Sequence, residues 1–121
     1  MNKILVMFFI FLTSTSAYSK STSHFIGKKF KAEVTYACEE GELTCDKVYL
    51  KSTRIKDDSA ISLKGSTVNS HCPDVCDFQG YRFTNGKYEY SFYPSIKGHD
   101  LWDYVITLDA KVIASDVGVM K

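Results

Sequence analysis

Proline is scarce in this 121-residue sequence, with 2 residues, and neither sign of charge is in surplus: 15 Lys and Arg stand against 14 Asp and Glu. A chain that is 45% hydrophobic, poor in proline and moderately charged is not compositionally disordered. Without a basic excess it lacks the electrostatic footprint of a nucleic-acid binder, and no polybasic patch points to a membrane surface. No window carries a sustained i, i+3, i+4, i+7 apolar stripe, which argues against a helical bundle. Internal repeats, linkers and low-complexity tracts are absent too, and the length allows one domain.

Signs of reaction chemistry are equally sparse. There is no Gly-rich phosphate cradle and no run of oxygen ligands resembling a calcium loop. A nucleophilic enzyme needs Ser, Cys or Thr with a positioned base and an oxyanion site, and the 3 His lie in no such motif. His99-Asp100 is the nearest approach to an acid–base pair, yet adjacent loop residues are poor partners for one another. Glu39-Glu40 and Asp57-Asp58 read as solvated turns. The expectation is a protein that is not an enzyme and uses no metal and no cofactor.

What is present begins with a compartment signal. Lys3 precedes an apolar run from Ile4 to Leu12, then a small polar stretch ending in Ala17-Tyr18-Ser19, the small-x-small pattern of a signal-peptidase site. As helix, Ile4 to Ala17 would reach only about 21 Å at about 1.5 Å per residue, short of a ~30 Å hydrocarbon core. Residues 1–19 therefore read as a secretory signal and 20–121 as a single exported β domain, periplasmic or secreted, touching membrane only during export. Cys38, Cys45, Cys72 and Cys76 all fall in the exported part, and an even count in a short exported chain reads as two disulfides. Four Cys allow three pairings; local closure favours Cys38 with Cys45 and Cys72 with Cys76, each worth roughly 2 to 3 kcal/mol. The C-x6-C and C-x3-C spacings do not match the short paired spacing of structural zinc modules or a thioredoxin-like motif.

Residues 20–25 read as a loose leader. Phe30 to Cys38 alternates, with Val34, Tyr36 and Cys38 on one face; Glu39 to Glu42 turns, and Leu43 to Leu50 returns with Cys38 opposite Cys45 and Tyr36 opposite Lys47. Ala60 to Leu63 and Thr67 to Asn69 look like two short strands joined at Lys64-Gly65-Ser66, before a cysteine-bounded loop at 70–77. Between Phe78 and Phe92, Asn85-Gly86 flanked by alternating aromatics signals a type I′ hairpin, pairing Phe83 with Tyr88, Arg82 with Glu89 and Tyr81 with Tyr90. The aromatic face of that hairpin reads as core. Residues 94–103 form a polar loop carrying the only Trp; Tyr104 to Leu108 and Lys111 to Ala114 are the last strands, with the tail from Ser115 outside the core. About eight short, evenly spaced strands predict an all-β fold: a small antiparallel barrel, or else a sandwich, with two disulfides. Closure is preferred because it removes exposed edges.

Tyr36-x-Cys38, Ala60-x-x-Leu63, Gly80-Tyr81-Arg82-Phe83, Lys97-Gly98 and Lys111-Val112-Ile113 follow one another in an order that resembles the membrane-bound and periplasmic inhibitors of C-type lysozyme. The resemblance implies an eight-stranded barrel that inserts a Ser-Gly-x-x-Tyr loop and a Lys-Gly into the enzyme cleft, where Ser and Lys engage catalytic carboxylates. Here Gln79 stands in the Ser position and Phe83 in the Tyr position. A protein partner is thus expected, a lysozyme or other peptidoglycan hydrolase, held by loops 70–79 and 94–103. Gln79, Gly80, Lys97, His99 and Trp102 are the candidate contact residues, with Trp102 and His99 as central anchors. The alternatives from sequence are a periplasmic immunity protein against a secreted wall-degrading toxin and a small secreted carbohydrate-binding or effector module, for which exposed Tyr81, Tyr88 and Tyr90 would be diagnostic.

Overall fold

The computed structural model describes residues 20–39 and 41–121, so the expected signal at 1–19 lies outside the described residues. Strands β2 (Phe30–Tyr36) and β3 (Val48–Arg54) show why the chain forms sheet: Phe30, Ala32, Val34, Val48, Leu50 and Ser52 point inward, while Lys31, Glu33, Tyr49 and Lys51 point out. The remaining strands are β1 (Ser21–Gly27), β4 (Ala60–Ser70), β5 (Asp77–Asn85), β6 (Tyr88–Pro94), β7 (Leu101–Leu108) and β8 (Lys111–Met120). Each pairs antiparallel with the next, and β8 returns to β1, giving a closed eight-stranded meander. The expected barrel, all-β class and both disulfides are present.

Aromatic rings fill the interior. Phe92 stacks on Tyr104 at 4.1 Å, and Phe25 and Phe30 meet the Tyr104 ring edge-on at 5.7 and 5.1 Å. β3 and β7 lie on opposite walls, and the Tyr104 hydroxyl crosses the lumen to Ser52 Oγ at 2.8 Å. A barrel of this strand number is just wide enough for side chains to fill it, and here one tyrosine bridges it.

Burial pushes the Tyr104 hydroxyl well above the ordinary tyrosine value, with the Ser52 hydrogen bond pulling the other way and Tyr90 adding to the rise. The folded state therefore favours neutral Tyr104, whereas the unfolded chain ionises it near pH ~10. Stability from this group is intact below pH ~10 and falls above it, by up to about 1.4 kcal/mol per pH unit. Tyrosinate absorbance and denaturant unfolding between pH 9 and 12 should show Tyr104 ionising only as the barrel opens. In Tyr104→Phe that pH slope should shrink by one proton. Titration of Tyr104 alongside exposed tyrosines in the folded barrel would contradict the account.

Five local expectations are corrected. Residues 21–27 are a strand rather than a leader, with Phe25 fully buried. Likewise the tail from Ser115 is the outer half of β8, pairing Met120 with Phe25 and Gly118 with Gly27 to close the barrel. Gly65 is no turn: β4 runs unbroken through it, because the Arg82 carbonyl and Phe83 ring of β5 approach so closely that a Cβ has no room. Tyr36 pairs with Val48, one residue from expectation, since that register buries Val48 and leaves Lys47 in water. The β5–β6 hairpin turns on Gly86-Lys87, with φ +61° at Gly86, so Phe83 faces Tyr90 and Tyr81 faces Phe92. That is a shift of two, which keeps every side chain on its expected face. The Arg82–Glu89 pair survives as a diagonal contact at 2.6 Å.

Candidate functional site

The two barrel ends differ. One carries the short turns 28–29, 55–59, 86–87 and 109–110; the other carries the longer connections 37–47, 71–76 and 95–100, together with the outer ends of β1 and β8. Loops are where a rigid scaffold usually carries its binding residues, so the second end is the candidate. All five sequence-nominated contact residues lie at or just below it.

Two of its loops are braced and then tied together. Cys38–Cys45 closes the 37–47 loop at a Cα–Cα distance of 5.8 Å, and Cys72–Cys76 closes the 71–76 loop. Thr67 accepts the Cys45 N–H at 3.0 Å and donates to Asn69 Oδ1 at 2.7 Å. Asn69 Nδ2 donates to the Leu43 and Cys76 carbonyls, both at 3.0 Å, joining the two loops through one side chain. Sequence reasoning missed Thr67 and Asn69. Their signal was two polar residues in the inward phase of an apolar strand, following Leu63 and Gly65.

The bridges differ in access. Cys38 and Cys45 are buried while Cys72 is exposed, and thiol–disulfide exchange requires approach to sulfur. Brief non-denaturing reduction with alkylation should label Cys72 and Cys76 first, leaving the near-ultraviolet circular dichroism unchanged. Earlier labelling of Cys38 and Cys45 would contradict that order.

Each loop also shows an aliphatic side chain to water: Leu43 is 62% exposed, Val75 57%, and Ile96 is fully exposed. The same three loops carry the exposed acids Glu39, Glu42, Asp46, Asp74 and Asp100, against Lys47 and Lys97. The formal net charge is +1 overall, yet these three loops are acidic, with Lys20 and Lys121 beside the outer ends of β1 and β8. Lys97 and His99 occupy the 95–100 loop, which is shaped by Ser95 Oγ accepting the Lys97 N–H at 3.1 Å.

The other nominated residues lie deeper. Trp102 belongs to β7, not a loop; it pairs with Pro94 and stacks on Tyr81 at 5.9 Å, with Phe78 edge-on to Tyr81 at 5.1 Å. Burial raises the Tyr81 hydroxyl above its ordinary value, with Tyr36 adding to the rise. Gly80 is buried, pressed against the Phe92 carbonyl and 2.9 Å from the Tyr93 ring for any added Cβ. Beside it, Val68 pairs with Gly80 and Asn69 with Phe78, so Gln79 is the extra residue of a β-bulge. The Gln79 amide donates to Ser70 Oγ at 2.9 Å. Of the aromatic ladder, Phe83, Tyr90 and Phe92 are buried and Tyr81 half-buried, leaving only Tyr88 open.

Ser70, His71 and Asp77 come together here, which the sequence did not reveal. Ser70 Oγ and Asp77 Oδ2 both approach His71 Nδ1, at 3.2 and 3.3 Å. A nucleophile–base–acid relay needs the two partners on different ring nitrogens, so this trio does not form one. Among the described residues no three His, Cys, Asp or Glu are grouped to hold a metal ion. No protein-family model, curated protein or solved structure matches this chain. Two formed disulfides are compatible with an oxidising, exported location.

Proposed function

We propose that the chain is an exported, periplasmic, non-enzymatic binding protein whose loop end grips a protein partner, and that the partner is a lysozyme or other cell-wall hydrolase whose cleft it blocks. One observation carries the reading: three loops at one end each present an aliphatic side chain and together carry a surplus of exposed acids, with two of the loops fixed by disulfides and Asn69. Three apolar side chains presented together at one end offer a surface for a partner to cover, and pre-fixed loops lose little entropy on binding. The acid surplus suits a basic surface around the cleft, while Lys97 is the group available to a carboxylate inside it. Gln79, Gly80 and Trp102 then shape the end from beneath rather than forming the contact, so Ile96 replaces Trp102 as the expected anchor.

The test is capture of partners from periplasmic extract on the oxidised protein, followed by lysozyme and amidase inhibition assays. Wild type should retain and slow a hydrolase, and Lys97→Ala should weaken inhibition about tenfold or more. Failure to retain or slow any hydrolase would remove the inhibitor reading.

A further inference from the structure

We propose that the opposite, short-turn end of the barrel is a second binding site, for a single-chain anionic amphiphile whose alkyl tail enters the barrel mouth and whose head rests on a cationic rim. A cavity of about 390 Å³ opens there. Its walls are Phe30, Ile61, Tyr90, Ile106 and Ala114, and the Tyr104–Ser52 bridge lies across its inner boundary. The space exists for two local reasons. Ser59 and Ala114 are small, and a β-bulge between Ile106 and Thr107 makes Ile113 an extra residue of β8, which stands at the mouth instead of filling it.

The mouth is apolar beyond what a barrel rim requires: Tyr88 and Ile113 at this cavity and Ile55 beside it are all exposed. A cavity of about 490 Å³ adjoins it, sharing Phe30, Arg54 and Ala114 and adding Lys28, Lys29, Ile55 and Lys56. Arg54 is paired with Asp57, whereas Lys28 and Lys56 make no ion pair among the described residues. Apolar walls with a few polar groups at the floor and unneutralised cations at the rim fit an alkyl chain with an anionic head. A closed floor favours a chain end over a continuous polymer, and barrel mouths are common ligand sites.

The probe is sodium decanoate below its critical micelle concentration, titrated calorimetrically into the oxidised protein. Decyl maltoside supplies the same tail with a neutral head, and phosphatidylglycerol vesicles supply anionic heads in a bilayer. Decanoate should bind one to one, at least tenfold more tightly than decyl maltoside. The Lys28→Gln/Lys56→Gln pair should weaken it about fivefold or more. Ile113→Glu, at an exposed position that leaves the fold intact, should weaken it at least tenfold, whereas Ile96→Ser at the far end should change nothing. Absence of saturable decanoate binding, equal affinity for the neutral amphiphile, binding to vesicles alone, or indifference to Ile113→Glu would each overturn the proposal. None of these outcomes bears on the loop end, so the two sites stand or fall separately.

Discussion

Asp116→Ala lowers the unfolding free energy by about 3 to 5 kcal/mol, which for a domain of this size lowers the melting temperature by on the order of 20 °C. The carboxylate is buried in β8 and accepts four backbone N–H groups. Lys29 and Phe30 donate to Oδ2 at 2.8 and 3.0 Å, and Lys28 and Val117 to Oδ1 at 3.3 and 2.9 Å. Three of those amides belong to the β1–β2 turn and the first residue of β2, so one side chain ties the first hairpin to the last strand at the seam where the barrel closes. Each amide left without a partner costs about 1 to 3 kcal/mol if water cannot reach it. Gly27 makes the arrangement possible, since a Cβ there would strike the carboxylate. Asp116→Asn keeps one acceptor oxygen and should lose about half as much. Asp57→Asn, in an exposed turn pair, should change stability by under about 1 kcal/mol. Chemical denaturation of the three variants checks the series. An Asp116→Ala barrel within about 1 kcal/mol of wild type would mean the seam is held elsewhere.

That seam is where the sequence was least readable. In β2 and β3 the inward residues are apolar, and alternation alone locates the strands. In the outer half of β8 the inward positions before Met120 are Asp116 and Gly118, one serving amides and the other making room for Ile26 and Gly27, so a single apolar residue at the strand's end leaves no apolar period to mark it. Ser21 to Ser23 fail for the same reason at the start of β1. Gly65 misleads because glycine serves a tight turn and a close strand approach equally well, and only the neighbouring strand decides which. The β5–β6 hairpin was half legible. Alternation fixed the faces, but Asn85-Gly86 and Gly86-Lys87 are both acceptable two-residue loops, and they differ by two in register without moving any side chain across the sheet.

The candidate site divides along the same line. Cysteine spacing reported both bridges, because short local closures need little knowledge of the fold. The tie made by Asn69 could not be read, because it joins carbonyls of two loops 33 residues apart in sequence, Leu43 and Cys76. Polar neighbours make Trp102 read as a loop anchor from the sequence alone. Its pairing with Pro94 and its stacking on Tyr81 are long-range facts.

If the loop end is the gripping surface, replacing its three aliphatic tips should remove most of the affinity for the captured hydrolase and leave the barrel intact. Serine is the informative substitute, because aspartate would add charge to an acidic end and confound the loss of apolar contact with a gain in attraction to a basic partner. Leu43, Val75 and Ile96 are largely in water, so each Ser variant should melt within about 2 °C of wild type, surface changes usually costing under about 0.5 kcal/mol. A buried aliphatic anchor is worth about 1 to 3 kcal/mol, so each single variant should weaken binding roughly 5- to 100-fold. Ile96→Ser should lie at the upper end and the triple variant should lose at least about 100-fold, measured by calorimetry. Neutralising Glu39, Glu42 and Asp74 together should act differently, slowing association and flattening its salt dependence while leaving dissociation nearly unchanged. Gln79→Ala should do neither, since that side chain is spent on Ser70. A triple Ser variant that still binds and inhibits like wild type would show that the partner is held by some other face of the barrel.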